Sequence, residues 1–211
     1  MKSTNLYKPI TTIHQTLLNN KSNVYVLIDI SSAPELRGEL FNLTDSPQFY
    51  SLFHGTVLQE LRDQSPFLLQ IELNQYQYLN HLFDHAPENF MIIFSQHSLE
   101  TLYQHWQSLL SIKTLKGEIA VFKFYTTQIL APYLKACTMI EQTRLLAFCD
   151  NLYIFDAENE WSCIYQSPDN GSPFIVPIND LKKVDPELKT AWWQQKIEHF
   201  QYLQSASKQH S

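Results

Sequence analysis

An apolar run near the start of the chain, VYVLIDI at residues 24–30, most constrains the fold. Apart from Asp29, its apolar residues follow one another instead of alternating with polar ones. A strand of this kind is typically buried on both faces, so it requires a layer of structure on each side of its sheet. Two further runs, FLLQIEL at 67–73 and FMIIF at 90–94, are also predicted to be strands.

Apolar residues recur at helical spacing in the stretches before and between these runs, at 9–18, 33–43 and 75–85. Ser98 is predicted to be the N-cap of a further helix over 99–110, because its hydroxyl can accept a backbone N–H of the first turn. Strands that alternate with helices predict an α/β fold. We expect a mixed sheet lobe with flanking helices, plus a smaller helical C-terminal part.

Two hairpins are predicted in the second half of the chain, with strands at 112–115 and 119–125, and at 145–155 and 161–165. The turn of the first hairpin is indicated by Lys116-Gly117. A helix is predicted between the hairpins over 126–140, and Pro132 is expected to end or kink it.

The predicted domain organisation has three parts. Residues 1–166 form the α/β domain, and residues 167–178, which include the turn-rich SPDNGSP, form a loop. Residues 179–211 form a helical segment that packs on or beside the domain, with Asp185 as N-cap and Pro186 at the first helical position. Adjacent helical positions point about 100° apart, so only one of Trp192 and Trp193 can lie centrally on the buried stripe of this helix. The other is a boundary residue or an exposed anchor for a partner.

The charge of the chain argues against nucleic acid as a partner. Its 211 residues carry a formal net charge of −6, and its few lysines and arginines are scattered, whereas phosphate backbones require a basic face. Charged residues make up 17% of the chain, below the usual quarter. A polar surface of low charge suits contact with another protein, because less ionic desolvation opposes burial. A compositional bias of the source organism would explain the same number.

Glycine and cysteine exclude several kinds of site. The four glycines lie far apart in the sequence, so no clustered phosphate-binding loop is present and no cofactor is expected. The three cysteines form no paired motif and indicate reduced thiols in a cytoplasmic protein. No apolar run reaches the roughly 18 residues that a bilayer crossing requires, and no signal peptide is recognisable, so we expect no membrane partner.

Two pairs of residues could carry chemistry. His81 and His85 lie one helical turn apart, but no third or fourth ligand at suitable spacing accompanies them, so no metal site is expected. Asp29 ends the first strand and His105 lies mid-helix, and together they could serve a small hydrolase or transferase. Asp29 could equally cap the next helix or bond to neighbouring N–H groups, and His105 could satisfy a backbone carbonyl. These structural roles are the favoured interpretation.

Four sequence blocks follow one another in the order and at the spacing seen in one known family. The blocks are Val24–Asp29, Leu52–Thr56 with Ser65–Leu69, Leu99–Leu110, and Gly117–Leu134. Together they resemble the type VI secretion effector-chaperone family, whose members are also called adaptors, and the resemblance covers residues 24–165. This sequence departs from the family pattern at three places. Gln107 replaces an arginine after His105, Lys123 stands where the family usually has arginine, and Thr126-Thr127-Gln128 replaces Asp-Pro-Arg.

The resemblance implies a cytoplasmic, non-enzymatic protein. Such an adaptor binds a secreted toxic effector and helps to load it onto the trimeric spike protein of the secretion machine. A scaffold subunit of a larger assembly is a third hypothesis. Tyr125, Gln128 and Trp193 are the predicted contact positions, because tyrosine and tryptophan offer rigid contact area at interfaces. Asp29, His105 and Lys123 are predicted to be scaffold or groove residues.

Overall fold

A computed structural model describes residues 13, 16, 22–72, 75–113, 119–155 and 161–167. These residues belong to one compact unit, except Lys113, Ile119 and Ala120, which fall in a second one. The predicted helix at 9–18 is described only at Ile13 and Thr16, both of which are helical. The predicted C-terminal helical segment, with Trp193, lies outside the described residues, as does the loop after Ser167.

The strands are β1 (Asn23–Ile28), β2 (Phe49–Ser51), β3 (Phe67–Ile71), β4 (Phe90–Ser95), β5 (Ser111–Lys113), β6 (Ile119–Val121), β7 (Asn151–Phe155) and β8 (Trp161–Gln166). Six of them form one sheet in the order β2-β3-β1-β4-β7-β8, and β5 and β6 form a separate two-stranded sheet. The helices are α1 (Glu35–Leu43), α2 (Tyr76–His85), α3 (Leu99–Ser108), α4 (Thr127–Ala136) and α5 (Met139–Leu145). Short 3₁₀ helices cover Gln59–Gln64 and Pro87–Asn89.

The predicted α/β class, a sheet with flanking helices, is confirmed, but the expectation that the sheet would be mixed was wrong. Each pairing within the six-stranded sheet is antiparallel, and β1 lies between β3 and β4. Val26 at the middle of β1 faces Leu69 on one side and Ile92 on the other. The two apolar runs that follow β1 in the chain therefore become its two neighbours in the sheet.

The first strand is buried on both faces, as its apolar run predicted. Val24, Val26 and Ile28 pack into a core that includes Leu36 of α1 and Leu82 of α2. Tyr25 and Leu27 pack into a second core on the opposite face, together with residues of α3, α4 and α5 that include Leu102, Trp106, Leu130 and Leu145. The structure is therefore a three-layer arrangement with an antiparallel sheet in the middle.

Helix α3 follows the predicted boundaries. The Ser98 hydroxyl accepts a hydrogen bond from the Thr101 N–H at 3.2 Å, which confirms the predicted N-cap. Leu99, Leu102 and Trp106 form its buried face, and the Trp106 ring stacks on Phe124 with ring centroids 5.1 Å apart. Truncating a buried aromatic such as this costs about 3–5 kcal/mol.

The strand predicted over 119–125 was wrong beyond Val121. The chain turns after β6, and the Thr126 N–H donates to the Lys123 carbonyl at 3.2 Å. Phe122, Phe124 and Tyr125 are all buried. Because a turn can direct consecutive side chains into one core, these aromatics do not alternate between faces as they would in a strand.

The helix predicted over 126–140 is two helices, and Pro132 does not separate them. Helix α4 continues past Pro132 to Ala136, although proline removes one backbone donor. Helix α5 starts after a capping box, in which the Thr138 side chain and Glu141 bond to each other's backbone N–H groups. This reciprocal cap sets the residue at which α5 begins and so separates it from α4.

The second predicted hairpin is confirmed in part. Strands β7 and β8 pair as expected, but residues 145–150 are not strand. Helix α5 extends to Leu145, and Phe148 has a positive φ of 70° in the turn that follows. Among the described residues, no helix is long and apolar enough to span a bilayer.

Candidate interaction surface

Asp29 is held by hydrogen bonds where β1 ends. Its carboxylate accepts the Ser31 N–H at 2.9 Å and the Thr126 hydroxyl at 2.7 Å, and the residue is 5% exposed. Helix α1 begins only at Glu35, so Asp29 does not cap it. Of the two structural roles expected for this aspartate, the bond to a neighbouring N–H is the one observed.

Two more polar side chains complete this region, which we call the Asp29 corner and define as Asp29, Ser31, Asn89, Thr126 and Thr127. The Asp29 N–H donates to the Asn89 carbonyl at 2.7 Å, and the Asn89 amide donates to the Asp29 carbonyl at 3.1 Å. The Thr127 hydroxyl donates to a backbone carbonyl, that of Glu88, at 3.2 Å. The corner therefore ties the end of β1 to the start of β4 and the start of α4.

The Thr126-Thr127-Gln128 triplet, which departs from the family pattern, divides between this corner and the surface. Both threonines bond inward, as described above. Gln128 is exposed, and so is Lys123 just before the triplet. Of the predicted site residues on this segment, these two have exposed side chains.

Tyr125, a predicted contact position, is placed inside the protein. It is 3% exposed and packs edge-to-face against Phe53 and Phe124, with ring centroids 6.1 Å and 5.6 Å away. Burial, and secondarily the charge of Asp29, raises the pKa of its hydroxyl. A buried ring offers no contact area to a partner of the folded chain, so this assignment is corrected to a packing role.

His105 satisfies a backbone carbonyl, as the favoured interpretation expected. Its Nε2 lies 2.8 Å from the Leu145 carbonyl oxygen, and its ring packs edge-to-face on Phe148 at 5.5 Å. Burial lowers the pKa of His105, although the bond to the carbonyl opposes this shift. Within the part of the chain that the structure describes, no hydrogen bond joins His105 to Asp29, and each is held by other partners.

Gln107 lies at the centre of a second region, on the outer side of α3, where its amide contacts three oxygen atoms. Its Nε2 lies 3.1 Å from the Leu52 carbonyl oxygen, 2.7 Å from that of His54 and 2.8 Å from the Tyr103 hydroxyl. The amide thus fastens the loop of residues 52–56 to α3. These are two of the blocks on which the family resemblance rests, and the sequence alone did not indicate that they meet.

Two tyrosines stack beside this loop. The rings of Tyr50 on β2 and Tyr103 on α3 have centroids 4.5 Å apart and an angle of 18° between their planes. The Tyr103 hydroxyl lies 3.4 Å from the His54 carbonyl oxygen, and Tyr50 is 38% exposed. The carboxylate of Glu100 lies beside the Tyr50 hydroxyl and raises its pKa. We call Tyr50, His54, Glu100, Tyr103 and Gln107 the Tyr50 surface.

Sequence reasoning missed Tyr50 altogether. Strand β2 is only three residues long, FYS, which is too short for a periodic pattern to reveal. The one available signal was the LFHGT block that follows directly, because an exposed tyrosine next to a resemblance block is a candidate contact residue.

His81 and His85 lie together on α2. Their rings stack with centroids 4.4 Å apart, and the His81 Nε2 lies 2.6 Å from a carboxylate oxygen of Glu39 on α1. The His85 ring bonds to the His81 carbonyl at 3.1 Å. Among the residues described, no group of three or more potential ligands could hold a metal ion.

A family model matches residues 24–144, more than half of the chain, and its description is Domain of unknown function (DUF4123). The chain belongs to this family. The family is known as a type VI secretion effector-associated domain. The comparisons with curated proteins and with solved structures give no match. The matched span runs from β1 to α5 and includes every residue of the Asp29 corner and of the Tyr50 surface.

Proposed function

We propose that this protein is a cytoplasmic adaptor that binds a type VI secretion effector and helps to load it onto the trimeric spike protein. The observation that carries the proposal is the match to DUF4123, a family associated with these effectors, over residues 24–144. In this proposal the protein is not an enzyme, and its work is to hold another protein.

The Tyr50 surface supports a binding role. Its rings and amide are fixed by hydrogen bonds and stacking, so their contact area loses little side-chain freedom when a partner covers it. Tyrosine is enriched among the residues that dominate binding energy. A pre-ordered aromatic surface on the matched domain is what an adaptor requires.

The positions of Asp29 and His105 support the non-enzymatic part of the proposal. A general base must reach the proton that it removes, and it must be free to accept that proton. Both carboxylate oxygens of Asp29 accept hydrogen bonds, and His105 is engaged with the Leu145 carbonyl at the end of α5, in the same helical layer. We therefore assign both residues to the scaffold.

Co-expression tests the proposal. The full chain would be tagged and expressed with each protein encoded beside it in a type VI secretion gene cluster, and complexes would be measured by size-exclusion chromatography with light scattering. We expect one effector to co-elute with the chain, and the spike protein to join that complex. A chain that folds but elutes alone with every candidate would refute an adaptor role.

Expression of the chain by itself separates the adaptor from a scaffold subunit. An adaptor should fold alone into a cooperative unit and then bind its effector. A scaffold subunit would remain unfolded or aggregated until its assembly partners are present. Circular dichroism and a urea unfolding curve of the isolated chain distinguish the two outcomes.

A further inference from the structure

The outward side of α3 presents an ordered polar face. Glu100, Tyr103, Gln104 and Gln107 are spaced by three, four and seven positions, so they share one side of the helix. The opposite side, with Leu102 and Trp106, is buried in the core. An inference about this outward side rests on the proposed function, because it names what a bound effector would place there.

The tyrosine pair provides a fixed aromatic plane. Tyr103 covers one face of the Tyr50 ring, and the residue as a whole is 38% exposed, so the opposite face is the one on which a partner can stack. The Tyr103 ring is itself fastened through its hydroxyl to Gln107. A cation placed over an aromatic face is attracted by the negative charge of the π-system.

A carboxylate, that of Glu100, lies beside that plane. The Gln104 amide donates to Glu100 at 2.7 Å, and Glu100 lies one helical turn before Tyr103, the residue on which Tyr50 stacks. In the part of the chain that the structure describes, no lysine or arginine lies within ion-pair distance of Glu100. The whole chain carries a net charge of −6, which favours the approach of a cationic partner.

We propose that the Tyr50 surface binds an arginine side chain of the effector, with the guanidinium over the exposed face of Tyr50 and its N–H groups on the Glu100 carboxylate. Arginine fits both halves of this surface, because its planar guanidinium stacks on rings and pairs with a carboxylate through two parallel hydrogen bonds. Lysine is a compact and strongly hydrated point charge, so it can pair with the Glu100 charge but cannot stack on the ring or form two parallel hydrogen bonds. The surface is thus specific for arginine.

A small probe tests the recognition without any effector. N-acetyl-arginine methylamide would be titrated into the full chain while the aromatic resonances of Tyr50 and Tyr103 are followed by NMR. We expect saturable shifts at these two rings, lost in Glu100→Gln and at least about tenfold weaker with the citrulline and lysine counterparts, which corresponds to about 1.4 kcal/mol. Equal shifts with citrulline, or no shifts at all, would overturn the proposal.

The affinity of the chain for the effector itself tests the same contact. Tyr50→Ala and Glu100→Gln should each weaken effector binding by about tenfold in Kd. Glu35→Gln removes an equal charge from an exposed position on α1, across the sheet from α3, and should leave Kd unchanged. Unchanged binding in Glu100→Gln would overturn the proposal, and so would weaker binding of the spike protein instead of the effector.

The two experiments separate the inference from the proposed function. If no effector binds the wild-type chain, the adaptor role fails, and the probe titration alone decides whether the surface recognises arginine. If the effector binds equally well to Glu100→Gln and Glu35→Gln, the adaptor role stands and the arginine contact is wrong.

Discussion

The Asp29 corner and the Tyr50 surface are both networks of polar side chains at the end of a strand, but they direct their bonds differently. In the corner, Asp29 and Thr126 bond to each other, and the exposed residues Lys123 and Gln128 lie beside the corner and outside its hydrogen-bond network. In the Tyr50 surface, Gln107 fastens a loop, while Tyr50 and Glu100 remain exposed.

The difference separates residues that hold the fold from residues available to a partner. A buried network contributes to stability because an unpaired group inside it is costly. The exposed members of a surface network contribute little to stability, yet the network fixes their side chains in place for binding. Both regions depart from the family pattern, so departure alone does not tell which role a residue has.

Loss of the Asp29 carboxylate should have the largest effect on stability. In Asp29→Ala the Ser31 N–H and the Thr126 hydroxyl lose their acceptor, a buried carboxylate, and we expect the free energy of unfolding to fall by about 2–3 kcal/mol. Urea unfolding measures the change. Asp29→Asn can still accept from Ser31 and should lose less; equal losses in the two variants would mean that these hydrogen bonds do not stabilise the corner.

Removal of the Gln107 amide should have an intermediate effect. Gln107→Ala leaves the buried Leu52 carbonyl without this donor, and the free energy of unfolding should fall by about 1–2 kcal/mol. The amides of residues 52–56 should also exchange hydrogen faster than in the wild type. Gln104→Ala, on the exposed side of the same helix, is the matched control, and comparable loosening of the loop in that variant would contradict the role of Gln107.

The pH dependence of the free energy of unfolding should reveal the titration of His105. Its pKa in the folded chain is lowered by burial from the ordinary 6.5, so the unfolded chain binds more protons below that pH. Stability is therefore complete above about pH 6.5 and falls as the pH drops toward the lowered pKa, by at most about 1.4 kcal/mol per pH unit.

His105→Gln provides the control for this pH effect. Glutamine keeps a donor for the Leu145 carbonyl but does not titrate, so the variant should lose that part of the slope below about pH 6.5. Urea unfolding at a series of pH values gives the comparison. Identical slopes in the wild type and the variant would place the proton uptake on another histidine.

Neutralising Glu100 should have the smallest effect on stability. Its carboxylate is exposed, and Glu100→Gln keeps an acceptor for Tyr50 and Gln104, so the free energy of unfolding should change by less than about 0.5 kcal/mol. Thermal and urea unfolding check this value. A loss above about 1 kcal/mol would make Glu100 part of the scaffold and would remove the contrast with the Asp29 corner.

Much of the fold could be predicted from short segments. The run at 24–30 indicated a doubly covered strand, and Ser98 indicated the start of α3, because burial and capping both leave local patterns. The strand ends were less predictable. Aromatic residues after Val121 suggested a longer strand, but a turn there buries consecutive rings that a strand would place on opposite faces.

The candidate site was predictable only in part. Gln107 and the LFHGT block were singled out through a resemblance, yet nothing in the sequence indicated that they bond to each other. Tyr50 was missed because β2 has only three residues. Tyr125 was expected at a surface and is buried, since an aromatic residue serves a core or an interface equally well until its neighbours are known.

The sequence by itself determined the class of fold, the burial of the first strand on both faces and the family to which the chain is similar, because these depend on residues close together in the chain. Only the tertiary structure decided which polar residues meet. Thr126 bonds to Asp29 across 97 positions, and Gln107 bonds to the His54 carbonyl across 53. Such pairs depend on the order of strands in the sheet, which local periodicity does not encode.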